Sequence, residues 1–503
     1  MNRARRLSLA IASLLPVSLA HAAPINVPAD QPTIQAALNA AVPGDEVVIA
    51  PGVYAIAAQI NVPLSDIVVR SASGTPADTI LDGGGASLTC FSVANRTAVT
   101  FERLTIRSFE CAIDAESAGV KVDGCRITMN APTSISGAVA CTLGTLTVTD
   151  CEFDQNTSTE SGAALGVYAS DAFVSNSVFT NNATALGATE PEFDGAAIIT
   201  GVGFNDEFEL FGSTITITGC KFEGNASDHG GAVAINGAFA TIDRCLFASN
   251  TARLGGGLFV RTIDFGAVGL FPGEAVLTNS VFVGNDVTEI GIFTSGRGSA
   301  IGAVNATLTI ANNSFYANTA EVGETIWGDL AISGTVCNSV FSNTAAPNFS
   351  AALLAGSFNL DALATAFVDA DGPDNTPGTV DDNLRLAPGS PAIDAGDNAC
   401  LPTSIGADFD GAARYTDDPA TADTGSGFAP VVDIGAFEFI PGAGPCGPAD
   451  LAIPFGVLDF SDVVAFLTAF GTMQPAADLA PPIGVFDFSD VVAFLTAFGA
   501  GCP

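Results

Sequence analysis

The sequence predicts an all-β solenoid in which short parallel strands stack coil upon coil. The first observation is a repeated unit, since Cys220-Lys-Phe-Glu-Gly-Asn225 is followed 25 positions later by Cys245-Leu-Phe-Ala-Ser-Asn250. The second is a set of short alternating apolar runs, such as Thr214-Ile-Thr-Ile-Thr218, which is a strand pattern. The third is that no unit contains a run of about ten residues with helical periodicity, which a leucine-rich or helical repeat needs.

Looser copies of the unit share an apolar residue two positions after the start and, in most, an Asn five positions after it. They begin at Cys125, Cys151, Ser177, Ser280, Asn313 and Ser339. The Phe of each copy should point into the coil and lie above the Phe of the next coil, at about the 4.8 Å strand spacing. Asn tolerates the left-handed conformation of a tight corner, and Asn side chains in adjacent coils can form a chain of amide hydrogen bonds. We interpret these Asn residues, and the neighbouring Gly pairs, as structural rather than ligand-binding.

The Phe-x-x-Asn and Gly-Gly-Ala units resemble those of right-handed parallel β-helices of the pectin-lyase-like type, and most closely the repeats of polymorphic outer membrane proteins. The resemblance covers roughly residues 24–345 and implies a right-handed parallel β-helix, which we assign to residues 23–345. That superfamily includes lyases, glycosidases, adhesins and binding stalks, so the resemblance leaves the activity open.

Residues 1–22 have the features of a secretory signal peptide. Arg3, Arg5 and Arg6 precede an apolar run from Leu7 to Leu19, and Ala20-His-Ala22 fits a cleavage site. The mature chain has no second long apolar run, so we expect no transmembrane segment and an exported protein, extracellular or at the cell surface.

The mature chain is strongly acidic. Three of the 16 basic residues belong to the signal peptide, so 13 remain against 53 acidic residues, and the net charge is about −40. This charge disfavours nucleic acid and anionic membranes as partners. It also repels polyanions such as pectate, unless calcium bridges the two.

The eleven cysteines of this exported chain suggest disulfides, but their positions divide them. Four occupy the repeat position where other copies have Ser and should be small side chains stacked inside the coil: Cys125, Cys151, Cys220 and Cys245. Cys446 and Cys502 bracket the C-terminal module and are predicted to form a disulfide. The pairing of the remaining five stays open.

The segment from Ile25 to Ala41, with Pro43-Gly-Asp45 and Pro51-Gly-Val-Tyr54, resembles the entry segment of pectin-lyase-like proteins. An apolar stripe at helical spacing is formed by Ile34, Ala37, Leu38 and Ala41. A short amphipathic helix here would cover the open end of the stack, where strand edges would otherwise be unpaired.

Two insertions between coils, Gly203–Gly212 and Ile263–Phe271, should leave the body as long loops. Exposed Phe beside carboxylates would suit stacking on sugar rings. A loop that folds its Phe back onto the coil is the alternative.

Residues 346–440 are rich in Asp, Gly and Pro and should form the final coils and a C-terminal cap. Alternate acids before a Gly suit a hard cation, and the candidate calcium ligands are Asp369, Asp371 and Asp374. A solvated acidic loop is the alternative. Leu384–Gly396 and Asp433–Phe439 resemble the closing segment of many exported bacterial β-helix proteins and should seal the far end.

After a linker at 441–445, residues 446–503 form a duplicated module, because Asp450–Gly471 recurs 28 positions later as Asp478–Gly499. Each copy is a loop followed by a helix, and the two helices should pack together through one face: Val463, Phe466, Leu467 and Phe470 in the first copy. The pattern resembles a dockerin, specifically the compact bacterial variant that ends in Gly-Cys. That resemblance implies anchoring or assembly through a cohesin-like or envelope partner.

The dockerin resemblance also implies calcium, with acidic positions at Asp450, Asp459, Asp462, Asp478, Asp487 and Asp490. The match is imperfect, because Ala452 and Pro454 stand where further oxygen ligands belong and the loop is one residue longer. Asp459 and Asp462 also fit as the N-cap and the first-turn acid of the helix. The sequence therefore leaves calcium and a metal-free loop both open.

The residue inventory assigns no catalytic group. His229 is the one histidine of the mature chain, and it should be a surface residue at a turn, so multi-histidine zinc sites and Ser-His-Asp hydrolysis are disfavoured. A lyase would need calcium-bound acids and an Arg or Lys base, and a glycosidase would need two carboxylates at a set separation. The candidate bases Arg244, Arg253 and Arg261 have different repeat positions and should lie on different faces.

Two functions therefore remain. The first is an exported β-helix that binds glycans or cell-surface partners and is tethered through its tail. The second is a polysaccharide lyase or glycoside hydrolase that is recruited through the same tail. A cluster of unlike charged side chains on one face of consecutive coils would favour the enzyme, and mainly Asn, Ser and Thr occupy those positions.

Overall fold

The computed structural model confirms a parallel solenoid in which most coils contribute one strand to each of three sheets. The residues that it describes are 24–133, 137–185, 195–204, 209–288, 296–320, 323–329, 331–342, 348–350, 354–361, 364–441, 447–452, 458, 460–481 and 484–501. The predicted signal peptide lies outside the described residues.

The first sheet has 13 strands, all parallel. They are Pro24–Val27, Glu46–Ile49, Ile67–Ser71, Val99–Glu102, Gly119–Asp123, Thr145–Thr149, Asp171–Ser175, Ser213–Thr218, Ala238–Asp243, Gly273–Thr278, Ala306–Ala311, Ser333–Cys337 and Ala355–Ser357. Along the central strands, from Val99–Glu102 to Ala238–Asp243, buried and more exposed residues alternate, because one face of the sheet lines the coil interior.

The second and third sheets are joined by two long strands, Thr79–Ala94 and Thr105–Glu116, whose two ends pair with different neighbours. The second sheet adds Gly52–Ala55, Arg126–Thr128, Glu152–Asp154, Val178–Thr180, Lys221–Glu223, Leu246–Ala248, Val281–Val283, Ser314–Tyr316, Val340–Ser342 and Leu360–Asp361. The third adds Ile60–Asn61, Val139–Thr142, Leu165–Tyr168, Ile198–Gly201, Val233–Asn236, Leu258–Arg261, Ile301–Val304 and Ile326–Asp329.

Short strands pair outside these three sheets. They are Thr157–Ser158 with Ala183–Thr184, Thr251–Ala252 with Asp286–Val287 and Thr319–Ala320, Gly203–Phe204 with Leu210–Phe211, Ile263–Asp264 with Leu270–Phe271, and Phe367–Asp369 with Asn383–Leu386. The 3-10 helices are Pro76–Asp78, Ala364–Ala366, Asn398–Cys400 and Pro475–Ala477.

A column of Phe rings fills the interior, as predicted. Phe222 stacks on Phe247 with ring centroids 4.9 Å apart, and Phe247 stacks on Phe282 at 4.4 Å. The full column consists of Phe153, Phe179, Phe222, Phe247, Phe282, Phe315 and Phe341. Offset stacking of aromatic rings adds to the free energy that burial of their apolar area supplies.

The Asn ladder is also confirmed. The side-chain amide of Asn225 donates to Asn250 Oδ1 at 2.9 Å, and that of Asn250 donates to Asn285 Oδ1 at 2.9 Å. The ladder differs from the prediction in one respect, because the left-handed residue of the corner precedes the ladder Asn: it is Ser249, with φ 52°, before Asn250. The ladder Asn instead points inward, where its amide satisfies buried backbone groups such as Phe222 O.

The repeat cysteines lie inside the coil, as predicted. Cys125, Cys151, Cys220 and Cys245 are all buried and free. The amide of Cys125 donates to Cys151 Sγ at 3.4 Å and that of Cys151 to Ser177 Oγ at 3.1 Å, so Cys and Ser side chains share one column of hydrogen-bond acceptors. Cys446 and Cys502, the predicted disulfide, lie outside the described residues.

The entry helix α1 (Ile34–Ala40) packs against the first coils, where Ile34, Ala37 and Leu38 are buried. Thr33 caps it by accepting a hydrogen bond from the amide of Ala36 at 3.1 Å. The predicted apolar stripe is therefore the face that the helix buries.

Residues 364–441, the closing segment, lie along the side of the last coils rather than only across their end. A second apolar core joins the outward side chains of coils to the segment: Leu246, Val281, Val283 and Tyr316 meet Phe367, Leu384, Ile393, Ile434 and Phe437. Left-handed corner residues Asn279, Asn312 and Asn338 donate to carbonyls of the segment. The segment covers this side because the outward residues of these coils are apolar.

The tail forms the two predicted helices, α2 (Phe460–Gly471) and α3 (Phe488–Ala500). Phe466 and Phe494 stack at 4.2 Å and are buried. Val463 and Phe470 pack against this contact, but the predicted contact of Leu467 is wrong, since Leu467 is mostly exposed. Leu467 follows Phe466 directly, and adjacent positions on a helix point in different directions.

Candidate functional site

Two hairpins leave the solenoid at the corner between the third and first sheets. The first pairs Gly203–Phe204 with Leu210–Phe211, and the second pairs Ile263–Asp264 with Leu270–Phe271. The tight corner at Gly237 lies in the coil between them, and a Cβ there would lie 3.0 Å from Phe271 Cβ. The residue at this position must also adopt a φ of +58°. The two insertions that were predicted to be long loops thus begin and end in short antiparallel strand pairs. They lie on either side of Gly237, where only glycine fits.

A groove of about 720 Å³ runs along the same corner in the preceding coils and ends at the first hairpin. Its walls include Thr97, Ser117, Thr145 and Asp171, and Phe211 contributes to its lining from the hairpin. The Asp171 carboxylate accepts a hydrogen bond from the Thr214 hydroxyl of the next coil.

The outer face of the first sheet continues from this groove as a Thr-rich surface. Its outward threonines are Thr145, Thr147, Thr149, Thr214, Thr216, Thr218, Thr241, Thr307, Thr309 and Thr335. Two phenyl rings lie among the threonines on this face. Phe173 is opposite Thr216 on one side of the strand Ser213–Thr218, and Phe239 is opposite Thr214 on the other side.

Five Phe side chains at this corner are exposed to solvent. Phe173 is 54% exposed and Phe239 is 43% exposed, although each lies on a strand whose neighbouring residues are buried. The hairpins add Phe204, Phe211 and Phe265. We call these five residues the aromatic corner. Phe271 of the second hairpin is instead half-buried against the corner at Gly237. The two possibilities drawn from the sequence, an exposed Phe and a Phe folded back onto the coil, therefore each describe part of the hairpins.

Residues 89–266 match the family described as "Right handed beta helix region". The chain contains a right-handed parallel β-helix. The aromatic corner lies on this β-helix, and all five of its residues fall inside the matched range.

Several solved structures resemble the β-helix at low identity. One is pectate lyase Pel9A (16% identity, 81% of this chain and 90% of that chain, TM-score 0.40). Another is a rhamnogalacturonan lyase (14%, 71% and 91%, TM-score 0.37), and a third is the alginate lyase AlyF-OU02 in complex with G6 (14%, 72% and 92%, TM-score 0.36). The activities in these names are those of the similar proteins. No curated protein matches the chain.

The candidate bases of the β-helix lie apart and already have partners. Arg244 Nε donates to Asp243 at 3.0 Å, and Arg261 Nε donates to Asn236 at 2.7 Å. Arg253 Nη2 lies 2.8 Å from Nε2 of His229. The prediction that His229 is a surface residue is wrong, because its ring is buried against Phe259 at a centroid distance of 4.9 Å.

The acidic loop of the closing segment brings one of its three predicted calcium ligands near other acids. Thr379 Oγ1 lies 2.6 Å from Asp381 Oδ1, 3.3 Å from Asp382 Oδ1 and 3.5 Å from Asp374 Oδ1. Asp369 and Asp371 accept hydrogen bonds from this loop through their backbone carbonyls. Burial raises the pKa of Asp382 to about 6. Calcium at Asp369, Asp371 and Asp374 stays a prediction.

A cluster of carboxylates that the sequence analysis missed lies elsewhere in the closing segment. One oxygen each of Asp394, Asp417 and Asp423 lies within 4.8 Å of the other two. Burial raises the pKa of Asp394, and the charges of Asp423, Asp417 and Asp418 raise it further. Asp394 is 23 and 29 positions away from Asp417 and Asp423 in the chain, so no short motif contains all three residues.

The tail loops of the two copies have the same hydrogen bonds. Asp490 Oδ1 accepts from the amides of Leu479 and Ala480, both at 2.8 Å, and Asp462 Oδ1 accepts from the equivalent amides in the first copy. Asp490 Oδ2 accepts from the amide of Asp487, which lowers the pKa of Asp490. Both oxygens of Asp490 therefore accept hydrogen bonds from backbone amides.

The rest of the second loop leaves one oxygen that would suit a cation. Asp478 Oδ2 accepts from the amide of Gly484, whereas Asp478 Oδ1 is buried and has no hydrogen-bond donor among the described residues. Asp487 is the N-cap of α3, since its Oδ1 accepts from the amide of Ser489 at 2.7 Å. Asp459 lies outside the described residues. The capping role is thus observed in the second copy, and calcium in the tail stays a prediction.

We expect Asp490→Ala to open the second loop, because two backbone amides would lose their acceptor. Hydrogen exchange of full-length protein should show the amides of Leu479 and Ala480 exchanging at least about tenfold faster. Asp487→Ala is the control, since it removes the cap of α3 but not this acceptor. Unchanged exchange at Leu479 and Ala480 in Asp490→Ala would contradict the role given to Asp490.

No helix of the described residues is both long and apolar enough to cross a membrane.

Proposed function

We propose that the protein is a binding protein for neutral glycans and that the aromatic corner is its binding surface. The observation that carries the proposal is the exposure of five phenyl rings at one corner of a β-helix whose other Phe rings are largely buried in a column. The five rings come from consecutive coils beside this corner. A folded protein exposes a large apolar patch mainly where another molecule covers it.

The geometry of the corner suits an extended chain of sugars. Phe173 and Phe239 lie on strands two coils apart, on either side of the strand Ser213–Thr218, which corresponds to roughly 10 Å along the solenoid axis. The apolar faces of pyranose rings can stack on phenyl rings, and the hydroxyls of the surrounding threonines can donate to and accept from sugar hydroxyls. The groove that ends at Phe211 supplies a concave continuation of the surface.

The charge of the chain selects among glycans. With a net charge of −37 for the full sequence, the protein repels uronate polymers, so a neutral polysaccharide is the expected ligand. Within the described residues, the cations on the outer face of the second sheet are paired with carboxylates: Arg107 with Asp82, Arg126 with Glu152 and Lys221 with Glu223. These pairs leave little positive charge to hold a polyanion.

The tail would fix the β-helix to a protein partner. Apolar side chains one turn apart are exposed on α3: Phe488, Val492 and Leu495. The duplicated residues of α2 are exposed as well: Phe460, Val464 and Leu467. Rows of this kind on a helix are typical of helix-in-groove recognition by another protein. Anchoring or assembly through this module, in an extracellular or surface-bound protein, is part of the proposal.

We expect the double variant Phe173→Ala, Phe239→Ala to bind a neutral polysaccharide about tenfold more weakly or worse, because it removes two central aromatic contacts. Affinity electrophoresis or calorimetry on xylan and a soluble β-glucan would measure the change. The melting temperature should stay the same, since both rings are exposed. Phe428→Ala is the control, because that ring is 95% exposed on the closing segment and far from the corner in sequence.

Two results would contradict the proposal. One is equal binding by the wild type and the double variant. The other is turnover, which a reducing-end assay and an absorbance assay for unsaturated products would detect on the same polysaccharides with calcium present. Release of products would identify the protein as an enzyme instead.

A further inference from the structure

The carboxylates of Asp394, Asp417 and Asp423 meet where two parts of the closing segment come together. Asp394 lies in a buried turn and is 0% exposed, whereas Asp417 and Asp423 belong to the exposed loop 416–425. Their oxygens lie within 4.8 Å of one another. Three like charges at this separation repel one another, and burial of one of them strengthens the repulsion.

The carboxylate of Asp394 has an oxygen that the protein itself does not satisfy. Its Oδ2 accepts a hydrogen bond from the amide of Asp418 at 3.3 Å. Its Oδ1 is buried and has no hydrogen-bond donor among the described residues. A buried carboxylate oxygen without a partner is costly, so a positively charged ligand at this point would relieve the cost.

The backbone holds the loop against Asp394 independently of the carboxylates. The amides of Thr424 and Gly425 donate to the carbonyl of Asp394 at 2.9 and 3.1 Å. A Cβ at Gly425 would lie 1.9 Å from the carbonyl oxygen of Gly396, so only glycine permits this approach. The amide of Asp394 donates to Asp433 Oδ1 at 2.7 Å. The three carboxylates are thus brought together by the fold of the segment.

We propose that Asp394, Asp417 and Asp423 bind a hard divalent cation such as Ca²⁺, which ties the loop 416–425 to the buried turn at Asp394. Carboxylate oxygens are the ligands that such cations prefer. Two oxygens that each lie about 2.4 Å from one ion are at most about 4.8 Å apart, so the observed spacing fits a single ion. Water would complete the coordination on the side where Asp417 and Asp423 face solvent.

This site differs from the calcium sites predicted from the sequence, and variants can separate them. Asp417→Asn, Asp423→Asn removes two charges from exposed side chains of unchanged size, so the fold should be retained. Asp369→Asn, Asp374→Asn is the matched control, because it removes two exposed acids from another loop of the same segment. Calorimetric titration of the full mature protein with CaCl₂, and separately with MgCl₂, would measure affinity and stoichiometry for each variant.

We expect the Asp417, Asp423 double variant to lose one calcium equivalent, or to bind it at least about tenfold more weakly. The control should keep the calcium-dependent protection of Thr424 and Gly425, whether or not it loses an equivalent from its own loop. Hydrogen exchange gives a second readout, since calcium should slow exchange at Thr424 and Gly425 in the wild type and control only. Binding of Mg²⁺ that the double variant loses and the control keeps would also support the site. The proposal is overturned if the wild type binds neither ion, or if the double variant keeps the wild-type stoichiometry and protection.

Discussion

Phe247→Ala should lower the free energy of unfolding by about 3–5 kcal/mol, because it removes a fully buried ring and leaves a cavity that the coils cannot close. The ring is 0% exposed and stacks on Phe222 and Phe282 with centroid distances of 4.9 and 4.4 Å. The strands on either side are fixed by parallel pairing with their neighbours, so they cannot move inward to fill the space. Equilibrium unfolding in denaturant, followed by circular dichroism, measures the change.

The matched control for this prediction lies in the preceding strand of the same coil. Phe239 is 43% exposed on the outer face of the first sheet, so Phe239→Ala should change the free energy of unfolding by less than about 0.5 kcal/mol. Equal losses for the two variants would mean that the column of rings does not stabilise the interior. Phe247→Leu, which refills part of the cavity, should recover part of the loss.

Arg414→Met should release the closing segment, because it leaves buried carboxylates without their positive charge. Arg414 is fully buried, and its Nη1 lies 3.2 Å from Glu438 Oε2. Its Nε and Nη2 donate to Asn279 Oδ1 at 2.9 and 2.7 Å, which links the segment to a corner of the β-helix. Removal of one partner of a buried ion pair costs about 3–5 kcal/mol. Hydrogen exchange in residues 392–438 measures the opening of the segment.

The loss in Arg414→Met should grow as the pH rises from about 5 to about 9, because burial raises the folded-state pKa of Asp433 to about 7 and that of Glu438 to about 9. Burial raises the pKa of Glu438, and the neighbouring Asp433 raises it further; burial likewise raises the pKa of Asp433. A carboxyl whose pKa is raised in the folded state contributes stability at low pH, and that contribution is lost as the pH rises through the folded pKa. Without Arg414 both groups must stay protonated to remain buried, so alkaline conditions favour the opened segment.

An exposed ion pair is the control for Arg414. Arg70 pairs with Glu46 at 2.8 Å, and about a third of each side chain is exposed. Arg70→Met should therefore cost less than about 1 kcal/mol and show little dependence on pH. A loss in Arg414→Met no larger than that in Arg70→Met would contradict the role of the buried pair.

Periodic features of the fold could be predicted from the sequence because each coil repeats the same strands, corners and inward-facing side chains. A Phe or an Asn at a fixed position of the repeat lies one strand spacing from the same residue type in the next coil. The column of Phe rings that includes Phe247 and the ladder that includes Asn250 therefore follow from the repeat alone. The entry helix was predictable for a similar reason, since its apolar stripe has a period that a strand cannot have.

Features that depend on distant contacts could not be predicted. The side packing of the closing segment depends on outward apolar residues such as Val281, which look like ordinary strand positions in the sequence. The cluster at Asp394 requires a turn and a loop to meet, and the burial of His229 requires Phe259 of the next coil. The exposure of Phe173 and Phe239 was missed as well, because a Phe in an alternating run does not show by itself which face of the sheet it occupies.

The most direct test of a glycan-binding corner is hydrogen exchange of the full mature protein with and without a saturating neutral oligosaccharide. We predict slower exchange in residues 169–175, 211–216 and 238–241, without product formation and without change in the second sheet. Protection confined to the charged outer face around Arg126 and Lys221, or cleavage of the oligosaccharide during the experiment, would contradict it.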